Sequence, residues 1–135
     1  MFKYTFDVEP VSKGRPRFGG GTVRTPQMTK KFENTVAILA RRAFNGPPLT
    51  GPLELEIIFY ITPPQRPKDH LPIVKPDIDN FSKAIIDALN KIVWIDDAQI
   101  CNFSTKKRYQ WGRKYGSIEL TVTQMDSSQF KKPVV

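Results

Sequence analysis

The pattern of apolar and polar residues along the chain predicts four strands. Short alternating stretches bounded by turn residues are typical of strands, and we predict them at residues 2–8, 53–61, 98–107 and 117–124. The second half of residues 53–61 is apolar on both faces, which favours a central position in the sheet. Gly112 and Gly116 lie between the last two stretches and predict a turn that joins them as a terminal hairpin.

Apolar residues at three- and four-residue spacing predict a first helix. Thr25 is its expected N-cap, Pro26 occupies the first helical position, and Gly46 ends it. Its expected buried stripe consists of Phe32, Val36, Leu39, Ala40 and Ala43.

The same spacing predicts a second helix that begins at Asp77 or Asp79 and ends near Lys91. Its expected buried stripe consists of Ile78, Phe81, Ile85, Ala88, Leu89 and Ile92. The resulting order, β-α-β-α-β-β, predicts a single α+β domain over residues 1–125, with two main helices packed on a mixed sheet. Residues 126–135 contain few packing side chains and are predicted to form a flexible C-terminal tail.

Charge is distributed unevenly over the 135 residues, whose formal net charge is +8. Residues 1–45 hold nine Lys/Arg against three Asp/Glu, residues 46–105 hold five against eight, and residues 106–135 hold seven against two. Basic flanks favour a polyanion such as nucleic acid, because phosphate contacts release counterions. The alternative at this point is a basic surface that serves only solubility.

The rare residues exclude several kinds of site. Cys101 is the only cysteine and His70 the only histidine, which excludes an intrachain disulfide and a thiolate zinc site and disfavours Ser-His or Cys-His catalysis. We expect Cys101 to be buried in a strand and His70 to lie in a loop. A metal ion would have to be a hard, oxygen-binding one. Neither a membrane-spanning run nor a signal-peptide core is present, so a cytoplasmic protein is expected.

Five aspartates cluster around the second helix of this otherwise basic chain. Asp77 and Asp79 leave the same side of an extended segment and can converge on one ion. Lys83 follows Asp79 by one helical turn, where it can meet a phosphate oxygen. The pair Asp96-Asp97 precedes a strand that an α+β fold can place beside the helix. Three carboxylates from two segments suit Mg²⁺, which activates water and neutralises phosphate charge.

Simpler roles for these aspartates remain open. An Asp at a helix start is a common cap, Asp79 and Asp87 can form surface pairs with Lys83, and Asp96-Asp97 can be a plain turn. An EF-hand is excluded, because its sixth and twelfth positions, counted from Asp77, are not Gly and Glu. A DxD glycosyltransferase would need a far larger nucleotide-sugar domain.

These motifs together resemble the signature of one family, the RusA-type Holliday junction resolvases of bacteria and their prophages. The resemblance rests on four segments: Lys75-Pro76-Asp77-Ile78-Asp79-Asn80, Lys83, Asp87-Ala88-Leu89 and Asp96-Asp97-Ala98-Gln99-Ile100.

The resemblance implies a homodimeric endonuclease of bacterial, phage or prophage origin that uses Mg²⁺, with Mn²⁺ as a substitute, to make paired nicks in four-way DNA junctions. It implies that Asp77, Asp79 and Asp97 bind the metal and that Lys83 is catalytic. Supporting roles next to these groups are implied for Asn80, Asp87 and Asp96. Neither a nucleotide cofactor nor a membrane partner is expected.

Basic side chains outside the acidic centre are the expected DNA contacts. Cations interleaved with aromatic residues at 106–115 suit phosphate contact and base stacking. The full expected set is Lys13, Arg15, Arg17, Arg24, Lys75, Lys106, Lys107, Arg108, Arg113 and Lys114. Alternatively, the cations at 106–115 only guard an edge hairpin against aggregation. The dimer-interface candidates are Phe44, Phe59 and Trp94.

Two other functions remain open from the sequence. One is a non-catalytic nucleic-acid-binding module whose aspartates are caps and surface pairs. The other is a metal-dependent nuclease that cuts flaps or single strands instead of junctions.

Overall fold

The computed structural model of the chain describes residues 1–13 and 27–134. Its main elements are β1 (Phe2–Phe6), α1 (Gln27–Ala43), β2 (Leu53–Ile61), α2 (Ile78–Leu89), β3 (Ile100–Tyr109) and β4 (Ser117–Gln124). Short 3₁₀ turns lie at Asp97–Gln99 and Ser127–Phe130. No helix in these two ranges has both the length and the apolar character to cross a membrane.

The strands form one mixed sheet in the order β1-β4-β2-β3. β2 pairs in parallel with β3 and antiparallel with β4, and β1 pairs antiparallel with β4. The predicted α+β class and the central position of β2 are confirmed. β2 and β4 also have the predicted bounds, because β4 and the first half of β2 alternate clearly and the second half of β2 continues as an apolar run.

The core lies between the helices and one face of the sheet. Leu53, Leu55, Ile57 and Phe59 of β2 are fully buried, whereas the residues between them face outward or are half-buried. The Phe59 ring stacks on that of Phe81 in α2, with centroids 5.4 Å apart. This packing fixes the side of α2 that faces the sheet and, by exclusion, the side that faces solvent.

The predicted helical stripes are confirmed in their central residues. In α1, Phe32, Val36 and Ala40 are buried, and Leu39 packs at the margin of the core. The expected N-cap of α1, Thr25 with Pro26, lies outside the described residues.

In α2, the buried residues are Phe81, Ser82, Ala84, Ile85, Ala88 and Leu89. The sequence pattern missed Ser82, whose hydroxyl donates to the Ile78 carbonyl at 2.8 Å and lies 3.3 Å from the Thr105 hydroxyl. A polar residue is tolerated there because both contacts satisfy its hydroxyl group.

The predicted terminal hairpin is wrong. β3 and β4 lie on opposite sides of β2, so the connection between them passes over the end of the central strand. Gln110 N–H donates to the Ile61 carbonyl at 2.7 Å along this path. Gly116 passes so close to the Tyr60 carbonyl and the Glu9 carboxylate that a Cβ atom would overlap both. Glycine is therefore needed here for a close approach, which the sequence pattern reads as an ordinary turn.

Three side chains also differ from their expected environments. Cys101 is exposed, because neither face of β3 is covered at that point. Phe59 and Trp94 cannot serve as interface residues, since both are 0% exposed in the core of their own chain. Phe44 packs edge-to-face on Phe2, with ring centroids 5.1 Å apart.

The segment after β4 is exposed and contains one short turn. Asp126 begins this turn, and its carboxylate accepts from the Ser128 N–H at 3.1 Å and the Ser128 hydroxyl at 2.6 Å. His70, as expected, lies in the exposed loop between β2 and α2.

Candidate active site

The N-terminus of α2 presents a carboxylate that does not cap the helix. Asp77 occupies the N-cap position in an extended conformation, yet its side chain accepts no capping hydrogen bond. Its Oδ2 lies 3.2 Å from the Nζ of Lys75, and about half of the side chain is exposed, 51%. Among the described residues, the Asp77 carboxylate is thus held by an exposed ion pair, which contributes little to stability.

Asp79, Lys83 and Asp87 form a stripe on the outer side of α2, opposite Phe81 and Ile85. Asp79 lies in the first turn, where the helix dipole favours a negative charge. Lys83 is exposed, and none of the described residues forms a hydrogen bond or ion pair with its ammonium group. A carboxylate and an ammonium group therefore face solvent one helical turn apart.

Lys107 holds the segment that leads into α2. Its Nζ donates to the carbonyl of Val74 at 2.9 Å and to that of Pro76 at 3.1 Å. Two hydrogen bonds from one ammonium group fix the backbone just before Asp77. Lys107 therefore positions the helix start, a role that the sequence could not show because the contact spans 31 to 33 residues.

Asp97 lies far from the start of α2, at the opposite end of the layer that α2 and β3 form. Ser82 contacts Thr105, whereas Pro76, which precedes the helix, contacts Lys107 further along β3. α2 and β3 therefore run in opposite directions. Asp97 precedes β3, and the strand start lies about 16 Å from the level of Thr105, because an extended chain rises about 3.3 Å per residue. The first turn of α2 lies towards the other end of β3, near Lys107.

The two members of the Asp96-Asp97 pair have different surroundings. Asp96 caps the 3₁₀ turn, since its carboxylate accepts from the Ala98 N–H at 3.3 Å and its own N–H donates to Gln99 Oε1 at 2.8 Å. Gln99 in turn donates to the carbonyls of Leu49 and Gly51. These contacts anchor the turn that carries Asp97.

The Asp97 carboxyl has a raised pKa. Its hydrogen bond with Asp96 is the main cause, followed by partial burial and the negative charges of Asp96 and Asp87. The same hydrogen bond is the main reason why the pKa of Asp96 is lowered. The Asp97 carboxyl therefore ionises at a higher pH than an isolated aspartate does. The helix carboxylate whose charge reaches Asp97 is that of Asp87.

The predicted three-carboxylate ligand set is not gathered in one place. In residues 1–13 and 27–134, no three acidic, His or Cys side chains lie close enough to hold one metal ion. The donors suit a hard cation in kind, since Asp77, Asp79 and Asp97 supply only exposed carboxylate oxygens. Their arrangement within a single chain does not fit a three-carboxylate site.

Lys13, an expected DNA contact, lies between the two helices. Its Nζ is 2.7 Å from Glu33 Oε1 in α1 and 3.0 Å from Asp87 Oδ2 in α2. The backbone N–H of Lys13 donates to the Asn80 carbonyl at 3.0 Å. The hydrogen bond to Glu33 is the main cause of its raised pKa. A raised lysine pKa means that this stabilisation is fully present at neutral pH and is lost only as pH rises through that value.

Replacing Lys13 with methionine is expected to lower the free energy of unfolding by about 1 kcal/mol, because two partly buried carboxylates lose their common partner. Urea denaturation at pH 7 measures the change. Lys30→Met, on the exposed side of α1, is the matched control and should stay within about 0.5 kcal/mol of the original protein. Equal effects in both variants would show that the bridge does not stabilise the helix pair.

The remaining expected DNA contacts are spread over several surfaces. Lys106 and Arg108 align in the sheet with Ile58 and Tyr60, on the face without helices. Arg113 is paired with Asp7 at 3.1 Å. Arg15, Arg17 and Arg24 lie outside the described residues. The connection between β3 and β4 also exposes two aromatic side chains, Trp111 at 55% and Tyr115 at 64%, and Lys114 lies over the ring of Tyr115.

Comparison with known proteins decides the family. The sequence profile of the family described as endodeoxyribonuclease RusA matches residues 7–123, which is most of the chain. The chain belongs to the RusA family. Its matched segment includes both the start of α2 and the Asp96-Asp97 pair. This RusA-family chain is therefore an endodeoxyribonuclease, a hydrolase.

Curated relatives cover most of the chain at modest identity. The uncharacterised protein YqaN of Bacillus subtilis (strain 168) is 32% identical over 79% of this chain and 87% of its own length. Crossover junction endodeoxyribonuclease RusA of Escherichia coli (strain K12) is 27% identical over 92% of this chain and 95% of its own. A shorter match, 44% identical over 36% of this chain and 40% of the relative, is to the protein of that name from Enterobacteria phage 82.

Proposed function

We propose that this RusA-family chain is a Mg²⁺-dependent endodeoxyribonuclease, with Mn²⁺ as a substitute, that resolves four-way DNA junctions in recombination and repair. The observation that carries the proposal is the family match over residues 7–123. It is supported by the printed names of the Escherichia coli and phage relatives, which refer to crossover junctions. These relatives also support action on DNA inside a bacterial host cell, from a bacterial, phage or prophage gene.

The side chains at the start of α2 supply the chemistry that this function needs. A bound Mg²⁺ would neutralise phosphate charge and lower the pKa of a coordinated water. The carboxylates of Asp77 and Asp79 attract such an ion, and Lys107 keeps the backbone before Asp77 in place. Lys83, one turn beyond Asp79, offers a positive charge to a phosphate oxygen or to the leaving oxygen.

Phosphate contacts outside this centre come from the basic residues of β3 and of the connection that follows it. Lys106 and Arg108 lie on the sheet face without helices, and Lys114 stands beside the exposed ring of Tyr115. Exposed aromatic rings next to cations suit splayed or unpaired bases at a branch point. Selectivity for a four-way junction over duplex DNA would then come from shape, as set by two copies acting on one junction.

The test of this function is a substrate panel. Four-way junction, duplex, flap and single-stranded DNA are compared with Mg²⁺ and with EDTA. We expect paired nicks in the junction alone, lost in EDTA. Preferred cleavage of flaps or single strands would replace the proposed specificity, and binding without any cleavage would support the non-catalytic alternative.

The separation of Asp97 from the start of α2 calls for a second experiment. Either Asp97 moves towards Asp77 and Asp79 when DNA and metal bind, or a second copy supplies the missing carboxylate. The Asp79→Asn and Asp97→Asn variants are each expected to be inactive. If the site is shared, mixing them restores nicking, because one of the two combined sites then has all of its carboxylates. Wild-type chain diluted with Asp79→Asn is the control, and no recovery in the mixture would assign all three ligands to one chain.

A further inference from the structure

β3 lies at one edge of the sheet. β3 is the end strand of the sheet, and within the described part of the chain it pairs only with β2. It is also the longest of the described strands, with ten residues. A long edge strand presents a row of unpaired N–H and C=O groups to which another strand can bond.

The first half of this edge lacks the charges that commonly prevent such pairing. The four successive residues from Cys101 to Ser104 are exposed, so neither face of the strand is covered there. Phe103 is 45% exposed, although Leu55, its register partner in β2, is fully buried. Lysine, arginine, aspartate, glutamate and proline are all absent from residues 100–105. An exposed aromatic side chain on an uncharged edge is typical of an interaction surface.

The charges at the two ends of β3 are opposite. Asp96 and Asp97 precede the strand, and Lys106, Lys107 and Arg108 lie near its end. The uncharged, exposed segment lies midway between them. A second copy running antiparallel would bring each acidic end to a basic end, whereas a parallel copy would place like charges together. The pattern is therefore complementary to itself under a twofold rotation near Asn102.

We propose that the β3 edge binds a second copy of this chain, with the two β3 strands antiparallel and related by a twofold axis near Asn102. The two four-stranded sheets then form one continuous eight-stranded sheet, and the exposed Phe103 side chains become covered. This inference deepens the proposed function, on which it rests for the need for two copies, by naming the surface that joins them.

Charged substitutions at Asn102, on the proposed twofold axis, test the surface. Asn102 is exposed, and each copy would place it beside its own equivalent. Asn102→Lys and Asn102→Asp each set like charges against one another and are expected to weaken self-association roughly two- to fivefold. An equimolar mixture should recover the original affinity, because the two charges then attract. Sedimentation equilibrium measures association, and thermal unfolding checks each variant, since Asn102 stands beside Glu54 of β2.

A cross-link provides an independent readout. With Cys101 changed to serine, Asn102→Cys is expected to form a disulfide-linked dimer on mild oxidation. The control, Thr5→Cys in the same background, lies on the opposite edge strand, β1, and should not. Equal cross-linking at both positions, or failure of the lysine and aspartate variants to change association, would overturn the proposal.

The outcomes also separate this proposal from the nuclease function. Asp79→Asn should cross-link through Asn102→Cys as fully as the parent does, because Asp79 lies on the outer side of α2 and not on the β3 edge. Junction cleavage without cross-linking would reject the surface and leave the function standing. Cross-linking without cleavage by the wild-type chain would support the surface and reject the nuclease function.

Discussion

Asp79→Asn is expected to reduce Mg²⁺-dependent junction cleavage about 10³-fold while junction binding is retained. Asparagine keeps the shape of aspartate at the first turn of α2 but removes the negative charge that attracts a cation. The loss of a metal-held transition-state interaction of several kcal/mol corresponds to a decrease in rate of this size. Without metal, the variant should bind DNA as tightly as the original protein or more tightly, because one carboxylate no longer repels phosphate.

The measurements are single-turnover cleavage and gel-shift binding of the same four-way junction, with Mg²⁺ and with EDTA. Asp69→Asn is the matched control, since it makes the same change in the loop before α2, where Asp69 accepts a hydrogen bond from the Leu71 N–H. The control should cut at nearly the original rate. Undiminished cutting by Asp79→Asn would contradict the assignment of α2 as the catalytic element.

Lys83→Ala is expected to slow cleavage about 10²-fold and to change junction affinity by no more than about threefold. Its ammonium group lies on the exposed stripe of α2 beside Asp79, where it can stabilise charge that develops during the reaction. A single exposed cation adds little to binding that depends on many phosphate contacts.

Separate kcat and Kd measurements distinguish the two roles of Lys83. Lys83→Arg keeps the positive charge and should recover part of the rate, whereas Lys30→Ala removes a charge from the exposed side of α1 and should affect neither quantity strongly. An equal loss of rate and of affinity in Lys83→Ala would show that this lysine only contacts the DNA phosphate backbone.

Local patterns in the sequence predicted the strands and helices well, but not how the strands are arranged. β4 and the first half of β2 alternate, so their buried residues follow from the pattern, and the apolar second half of β2 fits its central position in the sheet. The position of β3 depends on what comes before it. Because α2 connects β2 to β3, β3 lies parallel to β2, and the glycines that follow serve a path across the sheet and not a hairpin.

The site shows the same division between local and long-range relations. The spacing of Asp79 and Lys83 already placed them on one exposed face of a helix, because that relation depends only on the helical repeat. The distance from Asp97 to the helix start depends on the opposite directions of α2 and β3, which no spacing along the chain encodes. Likewise, Lys13 resembles a DNA contact by charge alone, and only the packing of α1 against α2 shows that carboxylates already surround it.

The position of β4 has a consequence for biosynthesis. The last strand of the sheet to be synthesised lies in its interior, between the first strand, β1, and the central strand, β2. The unit from β2 through α2 to β3 can form while the chain is still on the ribosome. One edge of β2 and the whole of β1 have no partner strand until residues 117–124 are synthesised. Pairing over such sequence distances is slow. The nascent chain is therefore expected to expose unpaired strand edges until residues 117–124 have been synthesised, and exposed edges of this kind favour aggregation.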